Sequence, residues 1–300
     1  MFSSDNEQNS PLNDIAGRFT PYVYLGPTLI AVGLFLLYPL FSTFGFSFFS
    51  WDGFSSMEFV GFANYLELGS DPKFWSALVT NLIYILFFSI IPTIFGLLIA
   101  SLIGRTQVKG TRYFRTIFFI PQIIPSVALG TIFSWIYAPR FGVLQGILKS
   151  IGLESWSTPW LGSPDTAPYA VGLIGTWLWT GFSVIIFLAG IQKIDEYLYD
   201  AAKIDGANVM QQFFYVTLPE LRYEIVVVII MTMIRALSTN VFGIVDAITG
   251  GANSTRPISL YAYELAFVQN KVGYAASIIV ILAIIVFTFS GITMFTGESS

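Results

Sequence analysis

The sequence contains no cysteine and no histidine in its 300 residues. Without cysteine there is no disulfide framework and no thiolate nucleophile. Without either residue the usual zinc ligands and the commonest general base are missing as well. Charge is equally scarce. Asp, Glu, Lys and Arg make up 11% of the chain, where a soluble globular domain carries roughly a quarter. No Gly-Lys pair occurs anywhere, which excludes a Walker A loop, whose lysine and backbone N–H groups cradle nucleotide phosphates. No catalytic residue and no metal site are assigned, and any use of ATP must fall to another chain.

What remains is apolar. Hydrophobic residues make up 55% and aromatics 17%, and the mean hydropathy is +0.71. Six apolar stretches each meet the requirement of about 20 residues for a bilayer core about 30 Å thick. They are Tyr22–Phe49, Ala77–Ile103, Tyr113–Tyr137, Pro168–Ile191, Tyr223–Phe242 and Tyr274–Phe295. The fold class is therefore all-α, a polytopic membrane protein with six transmembrane helices. Residues 1–20 read as a cytoplasmic tail, 21–295 as the membrane domain and 296–300 as a second short tail. The start of the chain has Asp5, Glu7 and Asp14 before its first basic residue, Arg18, unlike a signal peptide.

The loops set the orientation. With the N-terminus inside, Arg18, Arg105, Lys109, Arg112, Arg115, Lys193, Lys203 and Arg222 are cytoplasmic, and Lys73, Arg140, Lys149, Arg256 and Lys271 are outside. Eight against five favours both termini inside. The fourteenth cation, Arg235, falls within a span.

One polar stretch interrupts this pattern, Asp195 to Leu221, DEYLYDAAKIDGANVMQQFFYVTLPEL. Ile194, Leu198, Ala201 and Ala202 fall on one helical face. Gly206 permits a turn that a residue with a Cβ resists. Val209 with Phe213 and Met210 with Phe214 mark a second short helix, and Pro219 ends the run. An amphipathic helix lying on lipid is rich in Lys and Arg on its polar face. Here that face is acidic and small, which favours docking of a partner protein.

Asp200-Ala201-Ala202, Asp205-Gly206-Ala207 and Leu218-Pro219 resemble the coupling-loop signature of ABC importer permeases, EAA followed by DGA and LP. Trp177-Leu178-Trp179-Thr180-Gly181-Phe182, Thr249-Gly250-Gly251, Phe114-Arg115, Phe118-Phe119-Ile120-Pro121 and Gly273-Tyr274-Ala275 extend the resemblance to the carbohydrate and polyol subgroup, from about Pro21 to about Phe295. Asp200 replaces the usual Glu, Asp195 a common Pro, Gly243 a common Asp, and Ala252 the Pro after the glycine pair. The resemblance implies a bacterial cytoplasmic (inner) membrane protein. It implies a second homologous permease, two ATPase subunits that hold ATP and Mg, and an extracytoplasmic solute-binding protein. The implied cargo is a sugar, glycoside or polyol, moved by alternating access. This chain itself binds no cofactor on that reading.

Within the spans, the candidates for a solute pathway are Asn81, Tyr84, Trp177, Trp179, Arg235, Ser238, Thr239 and Asn240. Arg235 stands about 20 Å along its helix from Arg222. A guanidinium there costs about 2.5–3.5 kcal/mol to insert and persists only with compensation. Aromatic rings stack on the C–H faces of sugars, and they equally pack or face lipid. Asn81 serves equally as a hydrogen bond between helices. Pro92, Pro121 and Pro125 each free a carbonyl four residues earlier, which must face protein or water. The alternative to an ATP-driven importer is a secondary transporter of a small polar solute. It needs an intramembrane carboxylate, and Glu224 and Asp246 lie near span ends.

Overall fold

A computed structural model describes residues 22, 24–105, 111–237 and 239–298, leaving aside the side chains at 105, 111, 112, 115, 239, 240 and 294–298. The N-terminal tail, 1–20, falls outside the described residues. The apolar stretches become helices α1 (Tyr24–Phe46) and α2 (Pro72–Gly104), α3 (Thr111–Phe119) and α4 (Ser126–Ile136), and α5 (Ala167–Ile191). The polar stretch forms α6 (Glu196–Ile204) and α7 (209–220). There follow α8 (Arg222–Leu237), α9 (Thr239–Ile248), α10 (Ile258–Val268) and α11 (Val272–Glu298). The last helix runs three residues past the expected boundary at 295. A two-stranded antiparallel hairpin, Phe49–Ser50 with Glu58–Phe59, follows α1.

The third span is not the continuous helix expected over Tyr113–Tyr137. After α3 the chain tightens into a 3₁₀ turn, Ile120–Ile123. Residues 116–123 and 126–136 meet at 103°. The cause is Pro125, which pushes the residue before it out of the helical region. Ile124 accordingly has φ −80° and ψ 125°. Among the described residues, five helices are long and apolar enough to cross a membrane, or six with the bent pair taken as one span.

Other prolines are absorbed without a break. Pro39, Pro92 and Pro219 each stand two residues after a five-residue π turn, at Gly33–Leu37, Leu86–Ile90 and Phe213–Thr217. A proline donates no hydrogen bond, and its ring clashes with the carbonyl four residues back. The wider turn shifts the ladder by one residue just ahead of it. Tyr38, Ile91 and Leu218 donate five residues back, to Gly33, Leu86 and Phe213. Pro219 therefore does not stop its segment as expected. The helical run continues to Glu220 and ends at Leu221.

Helix α5 is the hub, with two thirds of its apolar window buried. Its Ile174, Leu178 and Trp179 pack with Tyr84 and Phe88 of α2, Leu129 of α4 and Ala236 of α8. Its C-terminal half, Val184, Phe187 and Leu188, packs with Ala100 and Leu221. Ser89 and Thr232 share a 2.7 Å hydrogen bond between α2 and α8, the polar contact that holds helices together where lipid gives no hydrophobic drive. By contrast, α1 buries none of its apolar window within the chain.

The broken span rests on α5 at Gly181, where a Cβ would lie 1.9 Å from the Phe118 carbonyl oxygen. That contact is backbone and cannot swing away. Gly181→Ala is expected to destabilise the detergent-solubilised protein by about 1–3 kcal/mol, the range for overpacking, read as a fall in melting temperature. Gly291→Ala, with nothing within 4 Å, is the control. A wild-type melting temperature for Gly181→Ala would contradict this packing.

Candidate functional site

The polar stretch is a helix–turn–helix fixed by its own caps. Asp195 starts α6 by accepting the Tyr197 N–H at 3.0 Å, so this acid is the N-cap of the helix. At the other end Gly206 N donates to Lys203 O at 3.0 Å and Ala207 N to Ala202 O at 2.9 Å. This is the paired bonding of a Schellman stop, with glycine in the left-handed position. Gly206 has φ +79°, and a Cβ there would meet nothing within 4 Å. The demand for glycine is therefore conformational and not steric. Two residues on, Asn208 and Gln211 cap each other, at 2.9 and 2.8 Å, and start α7.

The two helices are tied together. Tyr199 and Thr217 share a 2.9 Å hydroxyl hydrogen bond, and Gln212 Nε2 donates to Ala207 O at 2.8 Å. Ala201, Ala202, Ala207 and Leu218 are half-buried, while Asp200, Asp205, Gly206 and Pro219 are exposed. Asp200 and Lys203 form an exposed 2.8 Å ion pair, a kind worth little in water. Leu221 is fully buried and anchors the segment to α5 beside Gly190. On the outward side Tyr197, Ile204, Val209, Met210 and Tyr215 are all exposed, Ile204 at 87%. Exposed apolar side chains here stand next to small acidic ones, a combination chemically suited to a protein partner.

The second locus is a cleft of about 230 Å³ where α4, α5 and α8 meet the 3₁₀ turn. Gln122, Ser126, Trp179, Phe182, Met231 and Arg235 line it. The Arg235 guanidinium carbon lies 6.0 Å from the Trp179 ring centroid, at the edge of cation–π range. The Trp179 ring is buried, and its Nε1 has no hydrogen-bond partner among the described residues. Gln122 Nε2 donates to Leu178 O, which fixes its side chain across the break in the third span. A cation, an amide and a hydroxyl beside an aromatic ring and an apolar floor can hold a hydroxylated solute.

Of the candidates read from sequence, Trp179 and Arg235 meet in this cleft. Trp177, two residues from Trp179, is half exposed and packs edge-on against Phe133 at 5.7 Å. Asn81 and Tyr84 are buried elsewhere. Tyr84 donates to Thr255 O at 2.8 Å, and Asn81 accepts the Ile258 N–H at 2.7 Å. Ser238 and the side chains of Thr239 and Asn240 lie outside the described residues. Gln122 and Ser126 were not foreseen. Their signal is a pair of polar residues beside two prolines in an otherwise apolar run. Asn208 and Gln211 carried the plainer signal of a capping box.

Residues 93–296 match the family of binding-protein-dependent transport system inner membrane components. The chain is 34% identical to a probable ABC transporter permease protein of Bacillus subtilis (strain 168), over 91% of this chain and 94% of that protein. It is 30% identical to the lactose transport system permease protein of Rhizobium radiobacter, over 89% and 91%. In fold it is similar to a chain of a bacterial alginate ABC transporter solved in complex with an alginate pentasaccharide-bound periplasmic protein. The TM-score there is 0.80 at 22% identity, covering 97% of this chain and 98% of that one.

The caps predict a graded response at position 206. Gly206→Asn keeps the left-handed turn at modest cost, since Asn visits that region. Gly206→Val does not, and its strain is on the order of 1–3 kcal/mol. Hydrogen exchange across 196–212 is expected to accelerate in Gly206→Val and to change little in Gly206→Asn, with the spans still inserted. Equal protection in both variants would mean that the turn does not depend on φ at this residue.

Proposed function

Because the chain belongs to the family of binding-protein-dependent transport system inner membrane components, we propose that it is one of two permeases lining the path of an ATP-driven importer. The cargo is a sugar, glycoside or polyol-type solute. The observation that carries the proposal is the helix–turn–helix of 196–220, braced by caps at both ends, pinned at Leu221 and apolar on its exposed side. A rigid handle is what a motor needs to move a membrane helix, and this one continues directly into α8, which carries Arg235 to the cleft. Two ATPase chains supply the hydrolysis and hold ATP and Mg. A solute-binding protein delivers cargo from the outside, and both termini face the cytoplasm. ATP closes the ATPase pair, the handle follows, and the cleft between the two permeases opens outward to receive solute. The carbohydrate cargo is supported by the lactose permease relative.

In this mechanism Arg235 donates to solute oxygens while Trp179 offers its ring edge. Arg235→Ala is expected to lower solute-stimulated ATP hydrolysis by the purified complex about tenfold or more while the melting temperature holds, since a hydrogen bond to a charged group contributes about 1.5–3 kcal/mol. Arg235→Lys keeps the charge and loses the planar fork, so partial activity is expected. A large fall in melting temperature for Arg235→Ala would assign the residue a structural role. The decisive experiment on the function is co-purification in mild detergent, followed by reconstitution with and without the ATPase chains. Uptake is expected only with them. Concentrative uptake by this chain alone would favour a secondary transporter.

A further inference from the structure

Polar side chains on one side of α2 reach a short stretch between α9 and the start of α10, and the acid at its head reaches α10 and α11. Thr80 Oγ1 donates to Ser254 O at 2.9 Å, Tyr84 Oη donates to Thr255 O at 2.8 Å, and Asn81 Oδ1 accepts the Ile258 N–H at 2.7 Å. At the head of the helix Asp71 Oδ2 accepts from Tyr261 Oη at 2.6 Å and from Tyr274 Oη at 2.8 Å. Positions 80 and 84 share one helical face, with 81 beside them. Thr80, Asn81 and Tyr84 are 3%, 1% and 0% exposed. Burial works to raise the Asp71 carboxyl, and the two tyrosine hydroxyls with the Lys73 N–H outweigh it, holding the group below the usual carboxylate range.

The stretch they hold is irregular. Asn253 and Ser254 have φ of +54° and +58°, and α10, which follows, is too short to span a bilayer. Buried backbone of this kind persists only where protein satisfies it. Most of the hooks on α2 do that for a main-chain group. Tyr84 also packs in the same apolar cluster as Leu129, Leu178 and Trp179, all of which line the cleft.

We propose that Asn81 and Tyr84, with Thr80 and Asp71, are positioning residues that fasten 254–261 to α2, so that the outer half of α2 and α10 move as one rigid wall behind the lining of the cleft during transport. This rests on the transport function proposed above. Thr80, Asn81 and Tyr84 are buried, so opening their bonds would strand several polar groups at once. The wall therefore keeps its internal bonds while the cleft changes the side to which it opens.

The absence of native cysteine allows a direct test. Ser76 and Ser254 are exposed and line one cavity of about 390 Å³ between α2 and the loop. In the reconstituted complex, Ser76→Cys with Ser254→Cys is bridged by a short bis-methanethiosulfonate cross-linker. Uptake is expected to stay within about twofold of the unbridged double variant, because a rigid body need not open internally. Loss of uptake on bridging, with recovery on reduction, would overturn the proposal. Tyr84→Phe supplies the second arm, since it keeps the ring and leaves the Thr255 carbonyl unpaired. Its solute-stimulated ATP hydrolysis is expected to fall on the order of tenfold, with basal hydrolysis and co-purification of the ATPase chains unchanged. Wild-type stimulation in both Tyr84→Phe and Asn81→Ala would overturn the positioning role. An unmodified complex that shows no uptake at all would overturn the transport function, and the rigid wall with it.

Discussion

A bilayer offers the main chain no hydrogen-bond partner, and most of what this protein does with its prolines, glycines and buried polar residues answers that constraint. Three prolines are absorbed by π turns that move the ladder ahead of the missing donor. Where Pro125 breaks the third span outright, Gln122 reaches across to the Leu178 carbonyl, and Gly181 lets the backbone of α3 settle against α5. The irregular loop before α10 is satisfied by α2. Several buried polar side chains inside the spans bond main-chain groups, Tyr84 and Thr176 among them, while Trp179 and Arg235 line the cleft.

The division of labour between the two loci follows from the same economy. At the helix–turn–helix, water can satisfy the exposed backbone, so the segment is free to be small, acidic and apolar by turns. Its order comes from caps, Asp195 at the start, Gly206 in the middle and Asn208 with Gln211 after it. At the cleft, order comes from close packing around α5. The connection between the loci is α8, which starts beside the buried Leu221 and carries Arg235 near its far end.

The spans and the handle were legible in the sequence because each rests on a local pattern. Runs of apolar residues, the alanine pair and Asp205-Gly206-Ala207 need no knowledge of distant contacts. The break in the third span was legible only as two prolines. How far the chain bends there depends on what α5 allows at Gly181. Helix α10 was hidden in an outer loop because its eleven residues are too few to span. Trp177 and Trp179 look alike in sequence, yet two residues in a helix separate their directions widely, and only packing decides which one meets the cleft. Asn81 and Tyr84 read as solute contacts because a buried polar group needs some partner. Theirs are main-chain groups more than 170 positions away, which no local pattern encodes.

The central claim is that the nucleotide state of separate ATPase chains, passed through 196–220, sets which side the cleft faces. Ser126 lines that cleft, and in a chain without cysteine Ser126→Cys is a unique reporter once the partner chains are made cysteine-free. The measurement is its labelling from outside by a membrane-impermeant thiol reagent in proteoliposomes, with ATP and vanadate trapped and without. Fast labelling is predicted in the trapped state and slow labelling without nucleotide, with the difference lost in Gly206→Val. The same labelling rate in both nucleotide states of the unaltered handle would contradict the claim.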